Sequence, residues 1–579
     1  MNRNEHYFAG KMFHRMLWPA LIAGISQAFS DIIDSVALGS GMGAEGLAAI
    51  GIVTPLYILF NVIGYGFAVG GSVQFSQSLA EGRREEAVRQ FNITIEIMLL
   101  WSIVIVIVSN LLMKPLLFLL GVTASDGELF RLCMDYARIM MDFTPVFLLN
   151  LVLYDYLKSD NGQILATIST VTGCVLDVTL NIVLVIILGY GVKGSIWSTV
   201  LALCVSVAVM LLHFIRKKNV LRFQFFIPSK EEIMQCMMEF RVGLSTSIKD
   251  LYQLAFELTA NNLLLRLAEG DGTVYVAAFN VVLNVSYFTC CVADAVVGAI
   301  QPLTATFHAE RNRDNLRFSM KQAFVWGGAL TAVIALVIGW RAADVANLFG
   351  MRDSMTVYAV RVFCLGTVFD AVITIFAGFL QSIEDEKTAG RIIGIRYLYL
   401  LLPLTVVLSM IELSWFWWVI PTAAIISCIL MAGAVRKVSQ KLSVPPKGVL
   451  AYTLCEEQDM GALIEQIIEF CKEQGATMQQ MNLVNMAVEE ICTVIFHNAF
   501  TGAKDEYIQI TVIRENDQDF VLHVRDSAVS YNPFDVKVSR KDIDRNDYLD
   551  NVGILMIRKK AKLFDYRRCQ GFNVLMVTV

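Results

Sequence analysis

AAIGIVTPLYILFNVIGYGFAVGGSVQFSQSLAEGRREEA, from Ala48 to Ala87, has a divergent second copy, AAFNVVLNVSYFTCCVADAVVGAIQPLTATFHAERNRDNL, from Ala277 to Leu316. The two stretches align without a gap, since the second begins 229 residues after the first (277 minus 48). Tyr-Leu-Lys-Ser at 156–159 similarly matches Phe-Leu-Gln-Ser at 379–382. The chain therefore contains two halves of like topology.

The composition indicates that these halves lie in a membrane. Of the 579 residues, 56% are hydrophobic and 17% are charged, whereas soluble domains are about half apolar and about a quarter charged. Apolar runs of roughly 20 residues recur from about Leu17 to Ala434 and predict about twelve transmembrane helices. Their approximate centres lie near Ile25, Ile63, Ile105, Leu149, Val175, Val205, Leu258, Val292, Ala332, Val372, Leu401 and Ile425. The predicted fold is a membrane all-α bundle of two six-helix pseudo-symmetric halves.

The loop charges predict the orientation of the bundle. Basic residues concentrate in every second loop, and the main examples are Arg83, Arg84, Arg89, Arg216, Lys217, Lys218, Arg222, Arg311, Arg313, Arg317, Lys387, Arg391, Arg436 and Lys437. Positive charge marks the cytoplasmic side of a membrane. We therefore predict a multi-pass protein of the cell membrane with both termini in the cytoplasm.

Two further observations exclude classes of function. The net charge is −5 and no basic block is present, so nucleic acid is not a predicted partner. None of the 12 cysteines lies in a CxxC or Cys/His cluster, so no metal site is predicted. A paired-half architecture is instead typical of a secondary transporter, whose substrate lies between the halves.

Four motifs resemble those of the multidrug and toxic compound extrusion (MATE) transporters. They are DIIDSVALGSGMGAEGLAAIGIVTPL, GGSVQFSQSLAEGRREEA, AIQPLTATFHAERNRD and FDAVITIFAGFLQS. The resemblance covers roughly residues 12–441 and implies an antiporter that exports organic, often cationic, compounds in exchange for protons or sodium. We accordingly divide the chain into an N-lobe (1–225), a C-lobe (226–440), a linker (441–448) and a terminal domain (449–579).

Carboxylates at membrane depth are the candidate coupling groups. Burying such a group costs several kcal/mol, on the order of 3 by insertion scales, so a functional role is the default interpretation. Asp31 and Asp34 are three residues apart and share a helix face. Asp177 and Asn181 are one helical turn apart, in the reverse of the order common in the family. The resemblance implies that Asp34 takes part in ion coupling, and the alternative for these residues is hydrogen bonding to a neighbouring helix.

The second half has its own candidates. Glu257 lies in the middle of KDLYQLAFELTANNLLL, and Asp370 precedes GFLQS by the spacing that the family shows for its tenth-helix aspartate. Either could bind a coupling cation or neutralise a cationic substrate. Arg396 either pairs with one of these acids or extends its side chain to the cytoplasmic face.

Residues 449–579 are predicted to form a soluble α+β domain. Charged residues become frequent after Pro-Pro-Lys-Gly at 445–448, and no further run of spanning length follows. We predict strands at 449–454, 507–514, 520–525 and 573–579, and helices at 463–473, 479–498 and 552–563. This is a mixed layer of helices on a sheet.

The motifs of this domain resemble the GHKL ATPases in their anti-sigma-factor serine kinase branch, and imply a GHKL-like sandwich. Glu490, in NMAVEEICTVIFHNAF, matches the general base of the family, and Asp526, in RDSAVSYNPFD, matches the aspartate that contacts adenine. Val494 stands where the family has its magnesium-binding Asn. Asn498 lies one helical turn later and is the alternative magnesium ligand, although it would require a shifted metal site. Of the lid glycines only Gly553 remains.

These departures predict a catalytically inactive domain. Magnesium is held by oxygen ligands, and a valine offers none. ATP binding would then be weak, no cofactor would be required beyond the coupling proton or sodium, and the domain would regulate transport or bind a cytosolic protein. Two alternatives remain: a membrane-tethered serine kinase with the helices as its receptor, and a flippase for lipid-linked substrates. The flippase would need a cationic cavity, whereas the membrane-depth charges are mainly acidic.

Overall fold

The computed structural model describes most of the chain, namely residues 6–120, 122, 127–215, 219–224, 229–268, 272–349, 351, 353–501, 506–515, 519–535 and 552–579. Of the residues predicted above, Arg216, Lys217 and Lys218 lie outside these ranges. The same is true of residues 549–551, which precede Val552 and the lid residue Gly553 in the sequence.

The described part of the first half consists of helices joined by loops. Its helices are α1 (Tyr7–Ala80), α2 (Arg84–Leu119), α3 (Glu128–Asp142), α4 (Thr144–Ser159), α5 (Gln163–Asn181) and α6 (Gly191–Leu211). Helix α1 contains two spans, Tyr7–Asp34 and Pro55–Ala80. A π-helical stretch, Ile182–Ile187, continues α5 directly after Asn181.

The second half repeats this arrangement. Its helices are α7 (Lys230–Leu267), α8 (Gly272–Ala309), α9 (Arg313–Trp340), α10 (Ala342–Leu348), α11 (Ser354–Ser382), α12 (Glu386–Ile393), α13 (Leu402–Ile411) and α14 (Val419–Ser443). A π-helical stretch, Gly394–Leu401, joins α12 to α13 and contains Arg396. Irregular hydrogen bonding of this kind is frequent at functional sites, and both lobes carry it beside charged or amide side chains.

The number of apolar spans is slightly lower than predicted. Within the described ranges ten helices are long and apolar enough to cross a membrane, or eleven if α3 and α4, bent by 51°, count as one span. The predicted helix near Leu258 is present as α7, but it is not among these spans. Its charged residues, among them Lys249, Asp250 and Glu257, lower its hydropathy.

The internal repeat is visible in the backbone of the tight turns. Gly82 has φ +74° and Arg311, 229 positions later, has φ +51°. Asn161 has φ +62° and Glu384, 223 positions later, has φ +61°. Non-glycine residues rarely adopt this left-handed conformation, so its recurrence at matched positions shows that the two halves use the same turns. All four turns lie at the end of the bundle that carries the terminal domain, which we call the tail end.

The terminal domain is a five-stranded antiparallel sheet covered by helices on one face. Its elements are β1 (Val449–Leu454), α15 (Met460–Glu473), α16 (Met478–Asn498), β2 (Ile508–Arg514), β3 (Phe520–Asp526), α17 (Val552–Lys560), β4 (Leu563–Cys569) and β5 (Phe572–Thr578). The strand order is β1-β2-β3-β5-β4. The fold class predicted from sequence is therefore confirmed, except that β4 was not predicted.

The sheet has two different faces because alternate residues of a strand point to opposite sides. Ile510, Leu522, Val524 and Leu575 belong to the apolar core beneath α15, α16 and α17. The other face includes Gln509, His523 and Arg525, which are also buried. We call this second face, formed by alternate residues of β2, β3, β4 and β5, the polar sheet face.

Candidate coupling, substrate and nucleotide sites

The predicted coupling residues of the first lobe lie together between α1 and α5. Asn181 Nδ2 donates to Asp34 Oδ1 at 2.6 Å and lies 3.3 Å from Asp177 Oδ1. Ser30 Oγ donates to Asp177 Oδ2 at 3.0 Å. Three of these four side chains are nearly inaccessible, since Ser30 is 1%, Asp177 7% and Asn181 0% exposed.

The chemistry of this cluster suits a proton or a hard cation. Asp34 and Asp177 both lie within 3.3 Å of the same Asn181 amide nitrogen, and two carboxylates this close repel unless a proton or a cation lies between them. Among the described residues, Asn181 Oδ1 finds no hydrogen-bond donor although it is buried. The cluster therefore presents oxygen atoms without enough donors, which is the ligand type that hard cations prefer.

Asp31 belongs to the same helix face but occupies its accessible edge. Its Oδ1 accepts a hydrogen bond of 2.9 Å from Gln27 Nε2, and Cys174 Sγ lies 3.6 Å from Gln27 Oε1. Asp31 is exposed, whereas Asp177 is buried. The acids thus extend from a surface-accessible position to the buried interface of α1 with α5.

The two candidates of the second lobe lie in different surroundings. Glu257 Oε1 accepts hydrogen bonds from Gln253 Nε2 at 3.2 Å and from Tyr287 Oη at 3.1 Å, which links α7 to α8. Asp370 Oδ1 accepts a 2.8 Å bond from Nε of Arg396, whose side chain is 2% exposed. Of the two interpretations of Arg396, the structure shows the ion pair.

This ion pair changes what Asp370 can offer to a substrate. A carboxylate already neutralised by a buried guanidinium attracts a second cation only weakly. Asp370 nevertheless lines a small cavity between α8 and α11 with Thr289, Cys290 and Thr367. The described hydrogen bonds of Glu257 come from one amide and one hydroxyl, with no guanidinium, so it is the better placed of the two for a cationic ligand.

The adenine-type aspartate of the terminal domain is held by its neighbours. Asp526 Oδ1 accepts bonds from Asn573 Nδ2 at 2.7 Å and from Ala528 N at 3.0 Å. Burial raises the pKa of Asp526 to about 6, although these two donors oppose the shift. Asn573 Oδ1 in turn accepts from Tyr566 Oη at 2.8 Å. The acceptor that would recognise an adenine amino group is thus present and fixed in position.

The phosphate side of this site is different. The Glu490 carboxyl group lies directly against Gly553, so that any side chain at that position would collide with it. Burial, assisted by the adjacent Glu489, raises the pKa of Glu490. Val494 is 5% exposed and packs in the apolar core. Val494 therefore supplies no side-chain oxygen at the position where the GHKL resemblance places the magnesium ligand.

Asn498, the alternative magnesium ligand, lies at the surface of the terminal domain. It is the exposed last residue of α16, and its Nδ2 lies 3.3 Å from Tyr531 Oη. No group of three or more His, Cys, Asp or Glu side chains suited to a metal occurs in the part of the chain that the structure describes.

Several site residues were not predicted. Ser30 is four residues before Asp34, and this spacing on one helix face was the available signal. Asn573 lies inside the strand motif DYRRCQGFNVLMV, where only its polarity in an apolar run distinguishes it. Tyr287 had no local signal, since its partner Glu257 is on another helix.

Comparison with known proteins identifies the family of the helical bundle. The MatE family model matches residues 19–183 and 251–407, which is more than half of the chain and most of each helical half. The chain belongs to the MatE family. It is a multi-pass membrane transporter, and its two matched segments correspond to the two copies of the internal repeat.

Named relatives extend this picture of a MatE protein. The chain is 19% identical over 409 residues to the probable multidrug resistance protein NorM of Photorhabdus laumondii, which covers 68% of this chain and 86% of that protein. It is 20% identical over 377 residues to the multidrug export protein MepA of Staphylococcus saprophyticus, with coverages of 64% and 81%. A solved structure described as the outward-facing conformation of a multidrug resistance MATE family transporter superposes with a TM-score of 0.68 at 20% identity, covering 76% of this chain and 99% of that one.

The terminal domain of this MatE protein matches a second model. The histidine kinase-like ATPase domain covers residues 456–579. The GHKL-like resemblance is therefore confirmed, and the chain joins a MatE transporter to an ATPase-type fold.

Proposed function

We propose that this protein is a secondary active antiporter that exports organic, mainly cationic compounds in exchange for protons or sodium. The observation that carries the proposal is the Asp34–Asn181–Asp177 cluster, where two acids share one amide donor at membrane depth. Such a cluster can hold a proton or a cation in one state of the transporter and release it in another. That exchange couples a gradient to transport without ATP.

The substrate would lie between the lobes, near the accessible acids. Asp31 on the N-lobe side accepts a hydrogen bond from the Gln27 amide, and Glu257 on the C-lobe side accepts bonds from the Gln253 amide and the Tyr287 hydroxyl. A cationic compound would be stabilised by either group. Apolar and aromatic walls supply the remaining affinity in sites of this kind.

The tail end of the bundle is proposed to face the cytoplasm. The four matched turns and the basic loops lie at this end, and positive loops are retained in the cytoplasm. The lobes 1–225 and 226–440, the linker 441–448 and the domain 449–579 then describe a transporter with a cytoplasmic regulator. Organic substrates and the bilayer are its partners, and a cytosolic protein is a further candidate.

We also propose that the terminal domain binds ATP weakly and does not transfer phosphate. Asp526 retains the adenine acceptor, but Val494 lacks an oxygen and the Glu490 carboxylate occupies the space beside Gly553. The competing function, a tethered serine kinase, is favoured only by the retained Glu490 and Asp526.

One experiment tests transport and its energy source together. The purified chain is reconstituted in liposomes loaded with a fluorescent organic cation, and proton and sodium gradients are imposed separately. The proposal expects efflux that follows one gradient and persists without ATP. Efflux that requires ATP, or no efflux under either gradient, would contradict it.

A further inference from the structure

The polar sheet face of the terminal domain is packed against the transporter. Its residues are buried, with Gln509 and Arg525 each 4% and His523 7% exposed. Helices cover only the opposite face. The burial of a polar face therefore results from the loops and helix ends at the tail end of the bundle.

An ion pair joins this face to the C-lobe. Arg525 Nη2 lies 2.7 Å from Glu310 Oε1, and the two side chains are 4% and 1% exposed. The Arg525 guanidinium also lies 5.2 Å from the centre of the Phe307 ring and bonds Gln509 Oε1 at 2.9 Å. Removing one partner of such a pair leaves an uncompensated buried charge, which is strongly unfavourable.

The N-lobe contacts the other edge of the same sheet. Gln570 N donates to Asn161 Oδ1 at 2.6 Å, and Arg84 lies 3.9 Å from Asp565. Gly82 lies so close to Met576 that a side chain there would collide with it. Gly82 follows Glu81, the repeat counterpart of Glu310, so the sheet contacts matched loops on both lobes.

The start of α1 completes the contact. The ring centres of Phe8 and Phe572 are 5.2 Å apart, and those of Tyr7 and Tyr507 are 4.8 Å apart. Arg15 lies over the Phe572 ring at 4.7 Å and donates to the backbone oxygen of Gln570. The terminal domain therefore holds N-lobe and C-lobe elements in one continuous interface.

The start of α1 packs against the C-lobe at this end of the bundle. One apolar cluster combines the start of α1 (Phe8, Phe13, Leu17) with α8 residues such as Val296 and with Phe572. At the opposite end, the described C-lobe residues form a separate cluster without α1. The terminal domain is therefore docked on the bundle in a state in which the two lobes contact each other at the tail end.

We propose that the polar sheet face is a clamp that holds the two lobes together at the tail end, and that the Arg525–Glu310 ion pair is its latch. The proposal rests on the proposed function in one respect, namely that transport needs the tail end to open. A domain that binds only the closed state shifts the population towards that state. Release of the latch should then favour opening.

The test uses the full chain in lipid nanodiscs and measures amide hydrogen exchange at the tail end. Arg525→Glu should increase exchange in loops 81–84 and 310–315 and in the 569–572 turn by about tenfold, a usual size for coupling between sites. Glu310→Arg should do the same, and the double variant, which restores the pair with reversed charges, should recover protection. Lys472→Glu, an exposed charge reversal on α15, is the matched control and should change nothing.

A second readout connects the clamp to transport. In liposomes, Arg525→Glu should alter the initial efflux rate by several-fold, and the double variant should return it towards the original value. Arg84→Glu, which acts on the N-lobe contact, replaces Arg525→Glu if that variant does not fold.

The outcomes are separable. Unchanged exchange in both single variants would overturn the clamp, and so would increased exchange with an unchanged efflux rate. If the unmodified chain shows no gradient-driven efflux, the proposed function fails, while the exchange data still decide whether the domain holds the lobes together.

Discussion

Asn181 Nδ2 donates to Asp34 Oδ1 at 2.6 Å, and this bond joins α5 to α1 across 147 residues of sequence. The same nitrogen lies 3.3 Å from Asp177, so one amide is shared by two acids. Because a π-helical stretch begins at the next residue, Ile182, the backbone here departs from regular α-helix. The Asp34–Asn181–Asp177 cluster thus lies where α5 has lost its regular geometry, a place suited to rearrangement.

The Asp370–Arg396 pair predicts a stability effect. Asp370→Asn would leave the Arg396 guanidinium buried without its counter-ion, which costs about 3–5 kcal/mol. We expect a clearly lower thermal transition in detergent and recovery in the double variant Asp370→Asn/Arg396→Gln. If the single variant is as stable as the original and loses only substrate affinity, Asp370 acts as a binding group instead.

Glu257 predicts an effect on affinity. Glu257→Gln keeps the size of the side chain and removes its charge, so the apparent affinity for an organic cation should fall about tenfold, equivalent to roughly 1.4 kcal/mol. Equilibrium binding of a fluorescent cation measures this. Asp344→Asn, an exposed acid paired with Arg341, is the matched control; equal affinities in the two variants would exclude Glu257 from the substrate site.

The nucleotide site predicts weak, metal-independent binding at most. Calorimetric titration of the full chain with ATP should give the same result with and without magnesium, and phosphate release should be undetectable. Val494→Asn would supply an oxygen ligand, and should introduce magnesium dependence without turnover because the lid has lost all of its glycines except Gly553. Magnesium-dependent ATP turnover by the original chain would contradict this prediction and favour the tethered serine kinase.

His523 predicts a pH dependence of docking. Burial on the polar sheet face lowers the pKa of His523 to about 4; the Glu310 carboxylate opposes this shift, and Arg525 and Arg567 add to it. The ordinary value is about 6.5. Docking should therefore be complete above pH ~6.5 and weaken as the pH falls towards ~4, because the undocked form binds the proton more readily.

Hydrogen exchange of the 569–572 turn at about pH 7.5 and about pH 5, corrected for intrinsic rates, checks this sign. His523→Gln, which cannot titrate, should remove most of the difference. Stronger protection at the lower pH would show that His523 is not the controlling group.

The architecture, and the relationships between residues on the same helix, could be predicted from the sequence. Hydropathy located the helices, and the 229-residue repeat anticipated the matched turns at Gly82 and Arg311. The spacing of Asp177 and Asn181 placed both on one face, as the structure shows. These features could be predicted because each depends on residues within one helical turn or on segments that the sequence repeats.

Relationships between distant segments could not be predicted in this way. Arg525 and Glu310 are 215 positions apart, and Arg525 resembles any charged residue at a strand end. Strand β4 was missed because its acidic and basic residues hide the apolar alternation of an edge strand. The Gln570-Gly571 turn, with φ of +51° and +81°, was the local hairpin signal.

We propose above that an ion gradient is coupled to export through the cluster that contains Asp34. The most direct measurement is efflux of an organic cation from liposomes containing the original chain, Asp34→Asn or Asp344→Asn, under an imposed proton or sodium gradient. Asp34→Asn keeps the side-chain size and loses the charge, so we predict correctly inserted protein with no gradient-driven efflux, while Asp344→Asn transports like the original. Efflux by Asp34→Asn at the original rate would contradict the account.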